Sequence, residues 1–502
     1  MTTIKRCVIV ALSFILQISF SVVIMLYFYE KLFLVKALVS VLSILIILNI
    51  IKNSKRITNE IPIILLIAIT PVAGTLIYIA LGSNMLKSKT LISIYKSEKN
   101  SKKYYHINEK ITKELDEKKL DKLKYFNNYL GYPVSKNNQI TYYETGEKFY
   151  FEYLKELKKA KKFIFIEYFI INQKGIMWNS ILNILKEKVK EGVDVRVMYD
   201  DMGSVFLLPK TYKKELETFG IKCVVFNELK SFRGIFMNNR DHRKITIIDG
   251  KVAFTGGVNL SDEYININSP HGHWKDNAIK LIGDSVFNLT VLFLTNWNAF
   301  TKEDIDYNIF RYDFKDEIKE NGYTVPFGCS PVNIIDLEGE DAYLNIINQA
   351  KEYVYIMTPY LIIDTNMLNA LLLAHKRGVD VKIVIPGIPD KKVVYTLTES
   401  YVKNLVDEGI SVLTYTKGFV HSKVFVCDDD ISIVGTINMD YRSLYLHFEN
   451  GVYMESISEI KKIKQDVVDT ISVSHEVTKE EVNYKLIKRI WQSILRLFAP
   501  LF

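Results

Sequence analysis

A chain that carries one histidine motif twice, at a fixed separation, is constrained to fold as two copies of one unit. Here the pattern His-x-Lys-x4-Asp occurs at His242, Lys244 and Asp249 and returns 179 residues later at His421, Lys423 and Asp428. The offset then continues, because Gly256-Gly257-Val258-Asn259 ends the first copy and Gly435-Thr436-Ile437-Asn438 ends the second. The frame around the motifs is doubled too. Ala160-Lys161-Lys162 matches Ala350-Lys351-Glu352, and Gly192-Val193-Asp194-Val195 matches Gly378-Val379-Asp380-Val381. Between these markers FIFIEYFI (163–170) and VDVRVMYD (193–200) read as buried strands around a helical stretch. YVYIMTPYLI (353–362) and VKIVIPG (381–387) repeat that order. Strand–helix–strand succession predicts a duplicated α/β fold of mostly parallel sheets with helices packed on them.

Each motif copy predicts a hairpin. ITIID-GK-VAFTGG carries an Asp-Gly turn signal, and VFVCD-DD-ISIVGT has an acidic turn in its place. Residues i and i+2 share one face of a strand, so His242 and Lys244 point the same way, as do His421 and Lys423. Asn259 and Asn438 return at the end of the second strand. A pseudo-twofold between the halves then gathers two His, two Lys and two Asn into one site.

That set suits displacement at a phosphodiester. Lys and Asn donors meet the phosphate oxygens where charge develops. One imidazole attacks phosphorus, and the other passes a proton to the leaving alkoxide. The catalytic candidates are His242, Lys244, Asp249, His421, Lys423 and Asp428, although both Asp suit holding a hairpin turn better than chemistry. Asn259 and Asn438 are candidate phosphate donors, and Thr255 and Ser443 are weaker ones. No cofactor or metal is called for, because the ammonium groups supply the positive charge. His271 and His273 lie close together without an assignable third ligand, and fit a loop at the rim of the site. Asp200 and Asp201 end a strand, where one lines the cleft or caps the following turn.

With 502 residues the chain has room for more than one domain. Its 48% hydrophobic composition is concentrated at the start. Runs at 7–29, 32–51 and 61–82 each have the length to cross about 30 Å of hydrocarbon, which predicts two or three transmembrane helices over 1–85. A basic linker and entry helix is expected over 86–140, the two catalytic domains over 141–325 and 326–482, and an amphipathic membrane-associated tail over 483–502. The tail sets Leu486, Ile490, Ile494 and Leu497 on one face, with Trp491 nearby. The net charge of +8 suits an anionic lipid surface and does not by itself exclude nucleic acid. Four scattered cysteines have no metal-ligand spacing.

HRKITIID…GGVN and HSKVFVCD…GTIN together resemble the paired motifs of the phospholipase D superfamily. The chain from about residue 61 resembles bacterial cardiolipin synthases more closely. The segments NNRDHRK, WKDNAIKLIGD, MTPYLIID, NMDYRSLYLHFE and PVAGTLIYIALG carry that likeness. The resemblance implies phosphatidyl transfer between two phosphatidylglycerol molecules through a phosphohistidine, giving cardiolipin and glycerol. His242 would be the nucleophile and His421 the acid–base group. It also implies that Asp276 and Glu449 each hydrogen-bond one His ring and fix its tautomer. The implied partners are phospholipids and a bacterial plasma membrane that the chain crosses more than once, with no nucleic acid. A phospholipid hydrolase is the alternative reading within the superfamily, and a nuclease is a further one.

Overall fold

The computed structural model describes residues 33–53, 57–78, 89–228, 239–303, 305–314, 322–332 and 337–501, with positions 19, 23, 318 and 320. The duplication is built as two sheets with one strand order. The first runs Asn138–Tyr143, Ala278–Gly283, Val252–Gly256, Lys244–Ile248, Phe163–Tyr168, Asp194–Asp200, Lys222–Phe226. The second runs Tyr323–Cys329, Glu449–Glu455, Ile431–Gly435, Val424–Cys427, Tyr353–Met357, Asp380–Pro386, Ser411–Tyr415, and adds Ser474–Glu476 at its edge.

Both sheets are mixed, which corrects the expectation of mostly parallel ones. Only the strands joined by helical crossovers are parallel: Phe163–Tyr168 with Asp194–Asp200 and then Lys222–Phe226, and their counterparts in the second half. The motif hairpin turns the chain back on itself, so Lys244–Ile248 pairs antiparallel with both its neighbours. Val424–Cys427 does the same. A tight hairpin can join only antiparallel strands, whereas a crossover helix is needed to join parallel ones.

The hairpin turns explain the two motif aspartates. Asp249 and Gly250 have φ of 55° and 68°, and Asp428 and Asp429 have φ of 50° and 58°. Positive φ at both central residues matches the right-handed twist of the flanking strands, and Asp tolerates it better than most residues. Each carboxylate also gathers three backbone N–H groups from the loop entering the neighbouring strand. Asp249 accepts from Lys161, Lys162 and Phe163 at 2.8, 2.7 and 2.9 Å. Asp428 accepts from Lys351, Glu352 and Tyr353 at 2.8, 2.9 and 3.0 Å.

A central core lies where the halves meet. Phe165, Ile245 and Ile247 of the first sheet join Val424, Val426, Val434 and Val452 of the second, with helices Val286–Thr301 and Ile460–Ser472. The outer faces are covered by separate cores under helices such as Gly146–Lys159 and Ile176–Lys190 in one half and Glu338–Gln349 and Thr365–Lys376 in the other. The motif strands are therefore buried on both faces, which is why they read as continuous apolar runs. The entry helix Lys89–Ser101 docks on Val286–Thr301, where Ser93 and Ser97 donate to the carbonyls of Ala299 and Thr295 at 2.6 and 2.7 Å.

Among the described residues no helix is long and apolar enough to cross a membrane. Apart from positions 19 and 23, the run at 7–29 lies outside the described residues. The second run is the helix Phe33–Asn53, and the third is divided at Pro71 into Ile57–Ile69 and Pro71–Ile77. The C-terminal helix Leu486–Leu497 buries Gln492 and Leu495 and anchors Arg496 to the Ser400 carbonyl at 2.7 Å. Its Leu486, Ile487, Ile490, Trp491, Ile494 and Leu497 stay exposed.

Candidate active site

The two histidines are held by backbone as well as side chains, and both kinds of contact cross between the halves. The His242 N–H donates to the Phe448 carbonyl at 2.9 Å, and the Phe448 N–H to the Arg240 carbonyl at 2.8 Å. In mirror fashion Gly418–Val420 runs parallel to His273–Lys275, and the His421 N–H donates to the Lys275 carbonyl at 2.7 Å. The segment before His421 is thus a short strand, and the one before His242 a single bridge at Asp241, each paired with the segment before the other half's carboxylate.

The side chains follow this exchange. His242 Nδ1 lies 2.9 Å from both Glu449 oxygens, and His421 Nδ1 lies 2.7 Å from Asp276 Oδ2. Each carboxylate is fully buried and braced from its other side. The Thr436 hydroxyl donates to Glu449 Oε2 at 2.5 Å, and the Asn277 N–H donates to Asp276 Oδ1 at 2.8 Å. Gly257, at the place of Thr436, admits Asp276 because a Cβ there would sit 2.0 Å from Oδ1. A carboxylate on Nδ1 fixes that nitrogen as the protonated one and leaves Nε2 with its lone pair for the cavity.

Lys244 and Lys423 are buried beside their own histidines. Lys244 Nζ donates to the His242 carbonyl at 2.7 Å, and Lys423 Nζ donates to the His421 carbonyl and lies about the same distance, 3.0 and 3.1 Å, from both ring nitrogens. The charges of the two halves act on one another. Burial, reinforced by Lys244 and Lys423, holds His242 well below an ordinary histidine. Burial and Lys423 bring His421 down to about 4 against the pull of Asp276. Burial likewise lowers Lys244 to about 8 and Lys423 to about 7. For Asp276 burial works upward, yet the His421 and Lys423 charges outweigh it and hold the carboxyl low.

The remaining expected residues divide. Asn259 Nδ2 donates to the Tyr264 hydroxyl at 2.7 Å, and the Tyr264 ring packs on His421 at 5.2 Å. Asn438 Nδ2 donates to Asp440 at 3.1 Å, while its Oδ1 has no partner among the described residues. Asp249 and Asp428 sit past the far ends of the motif strands from the histidines and take no place among the site side chains. Thr255 accepts from Asn450 at 2.8 Å. Ser443 takes part through its backbone, its N–H bonding Asp440 at 2.7 Å, and Asp440 caps helix Tyr441–Tyr445. Asp200 takes the N–H groups of Met202, Gly203 and Asp241, so it fastens the chain just before His242. Burial lifts its carboxyl to about 7. His273 meets the Tyr415 hydroxyl at 2.9 Å, and His271 packs against Trp274 and Phe419. The sequence pattern does not mark His447, Thr436 or Arg243 as site residues. Arg243 bonds the Glu449 carbonyl at 3.1 Å, and its place between His242 and Lys244 was the available signal.

A family model described as the PLD-like domain of cardiolipin synthase matches residues 153–278 and again 343–469, one match on each half. The chain belongs to this family. A cardiolipin synthase of Clostridium perfringens is 32% identical over 87% of this chain and 93% of its own length. A cardiolipin synthase of Staphylococcus aureus is 35% identical over 73% of this chain and 74% of its own. An uncharacterized protein of Streptococcus mutans is 45% identical over 86% and 94%. Among solved structures, a phosphatidylserine synthase of Haemophilus influenzae shares the fold, with a TM-score of 0.56 at 14% identity over 76% of this chain and 98% of that one.

Proposed function

We propose that this chain is a phosphatidyltransferase that makes cardiolipin from two phosphatidylglycerol molecules at the paired histidines. The observation that carries the reading is the exchanged pairing of His242 with Glu449 and His421 with Asp276, which builds one two-histidine site out of both halves. His242 Nε2 attacks phosphorus, and the P–O bond to the first glycerol breaks. The proton on His421 goes to the departing glycerol oxygen. The 3′-hydroxyl of a second phosphatidylglycerol then attacks phosphorus, its proton passes to His421, and the N–P bond breaks. Lys244 and Lys423 neutralise the phosphate oxygens throughout. The bound diester places a negative charge in the cavity, which raises His421 from its low value toward the protonated form the first step requires.

Purified protein given phosphatidylglycerol alone is expected to release glycerol and form cardiolipin in equal amounts. Phosphatidic acid in place of cardiolipin would establish the hydrolase reading, and cleavage of DNA without lipid turnover the nuclease reading.

The lysine values set a pH limb. Raising the pH through 7 to 8 removes the positive charge first from Lys423 and then from Lys244, so kcat/KM is expected to fall over that interval. A kcat/KM that stays level to about pH 9 would show that the ammonium charges are not what holds the diester.

Both ends of the chain support attachment to a bilayer, with N-terminal segments crossing it and the tail lying on it. In the N-terminal helices Leu38, Val41, Leu42, Ile44, Leu45 and Leu48 face outward, while Ser43 turns inward and meets Thr75 at 3.0 Å. Apolar outside and hydroxyl inside is the arrangement of helices packed within lipid. The exposed Ile487, Ile490 and Trp491 of the C-terminal helix, flanked by Lys485 and Arg489, suit the interface of an anionic membrane.

A further inference from the structure

The pseudo-twofold is also broken two residues before each carboxylate. Two residues before Asp276 stands Trp274, whose ring lies 5.5 Å from that of His421. Two residues before Glu449 stands His447, whose ring lies 5.6 Å from that of His242. One half therefore has an inert indole where the other has a third imidazole.

His447 is nine-tenths buried, and neither of its ring nitrogens has a hydrogen-bond partner among the described residues. Its Nδ1 stops 3.6 Å from Glu449 Oε1. Burying Nε2 with no partner and Nδ1 with only this long approach to a carboxylate is costly, so the ring has capacity for a further partner. A ligand nitrogen from His447, a second from His242 and an oxygen from Glu449 all lie within 4.8 Å of one another. Ligand atoms about 2 Å from a zinc ion in tetrahedral array are roughly 3.3 Å apart, so small side-chain movements close this set around an ion.

We propose that His242, His447 and Glu449 form a binding site for zinc or a similar borderline divalent ion, and that its occupation switches the enzyme off. Two imidazoles and one carboxylate with a fourth position open is a donor set that suits such an ion. The ion takes the place of the proton between His242 Nδ1 and Glu449. That proton moves to Nε2, which then has no lone pair with which to attack phosphorus. The mirror-related set around His421 and Asp276 cannot bind in this way, because Trp274 offers no ligand. Metal binding stands on the three side chains alone, whereas the inhibition rests on the role proposed for His242.

The test uses the full chain in detergent, stripped with chelator and titrated with Co2+ as a spectroscopic probe. One Co2+ per chain is expected, with the intense visible absorption of a four-coordinate site that Zn2+ displaces. His447→Asn is expected to weaken binding roughly 100-fold or more, since losing even an outer partner of a metal ligand costs 10–100-fold. His421→Asn is expected to leave the absorption intact. Zn2+ should suppress phosphatidyl transfer by the unaltered chain at concentrations that leave the transfer remaining in His447→Asn unaffected. Absence of a bound ion, or equal binding by the His447→Asn chain, overturns the proposal. Binding that depends on His447 without inhibition would confirm the site and refute the role given to His242.

Discussion

Replacing either His242 or His421 with Ala is expected to abolish phosphatidyl transfer, by roughly 10^4-fold or more in each case, the scale seen when a nucleophile or its acid–base partner is deleted. The loss should be complete with one replacement because each half contributes one of the two imidazoles that a carboxylate orients for the chemistry, and neither can do the other's task. Folding should survive. Glu449 keeps the Thr436 hydroxyl and Asp276 keeps the Asn277 N–H when the ring is removed. A carboxylate left short of a partner in a buried position takes up a proton rather than unfolding the chain. His242→Asn and His421→Asn return a donor to the carboxylate and should match the unaltered melting curve more closely while remaining inactive. Release of labelled glycerol from phosphatidylglycerol, read beside thermal unfolding, separates the two effects. Transfer at the unaltered rate in either variant would remove the shared site.

The duplication, the hairpins and the His–Lys pairs were legible because each is written in local spacing: a repeated offset, an i, i+2 alternation, a turn signal. What was not legible is how the halves exchange partners. Asp276 lies nearer in sequence to His242 than to His421, yet it serves His421, because the strand His273–Lys275 pairs across the interface with Gly418–Val420. No periodicity within one half records a register that is set between halves. Sheet direction differs from the mostly parallel expectation for a related reason. The strand–helix–strand succession suggests a parallel sheet, whereas the strands of the motif hairpin pair antiparallel with each other and with both flanking strands. His447 is not legible in the sequence, because a single His two residues before Glu449 has no echo in the first half, where Trp274 stands. The repeat that made the other histidines visible was what hid this one.

The motif aspartates are expected to be stability residues. Asp249→Ala removes three charge-assisted acceptances at 2.7–2.9 Å and forces Ala into a backbone with φ of 55°. The left-handed conformation costs Ala about 1 kcal/mol. The lost hydrogen bonds would be worth roughly 1.5–3 kcal/mol each if the donors were sealed from water. Lys161 and Lys162 are exposed, so their N–H groups find water and only part of that is forfeited. The net is about 3 kcal/mol, which in a unit of this size lowers the melting temperature by roughly 6–12 °C. Asp428→Ala, with the same three-amide grip and φ of 50°, should behave alike. Asn at either position tolerates the backbone and keeps one acceptor, so its loss should be about half as large. Well below the transition, transfer by the Ala variants should stay within about tenfold of the unaltered chain, because the carboxylates lie beyond the far ends of strands Lys244–Ile248 and Val424–Cys427 from the histidines. An Asp249→Ala chain that melts normally but is as inactive as the His242 variants would place the carboxylate in the chemistry after all.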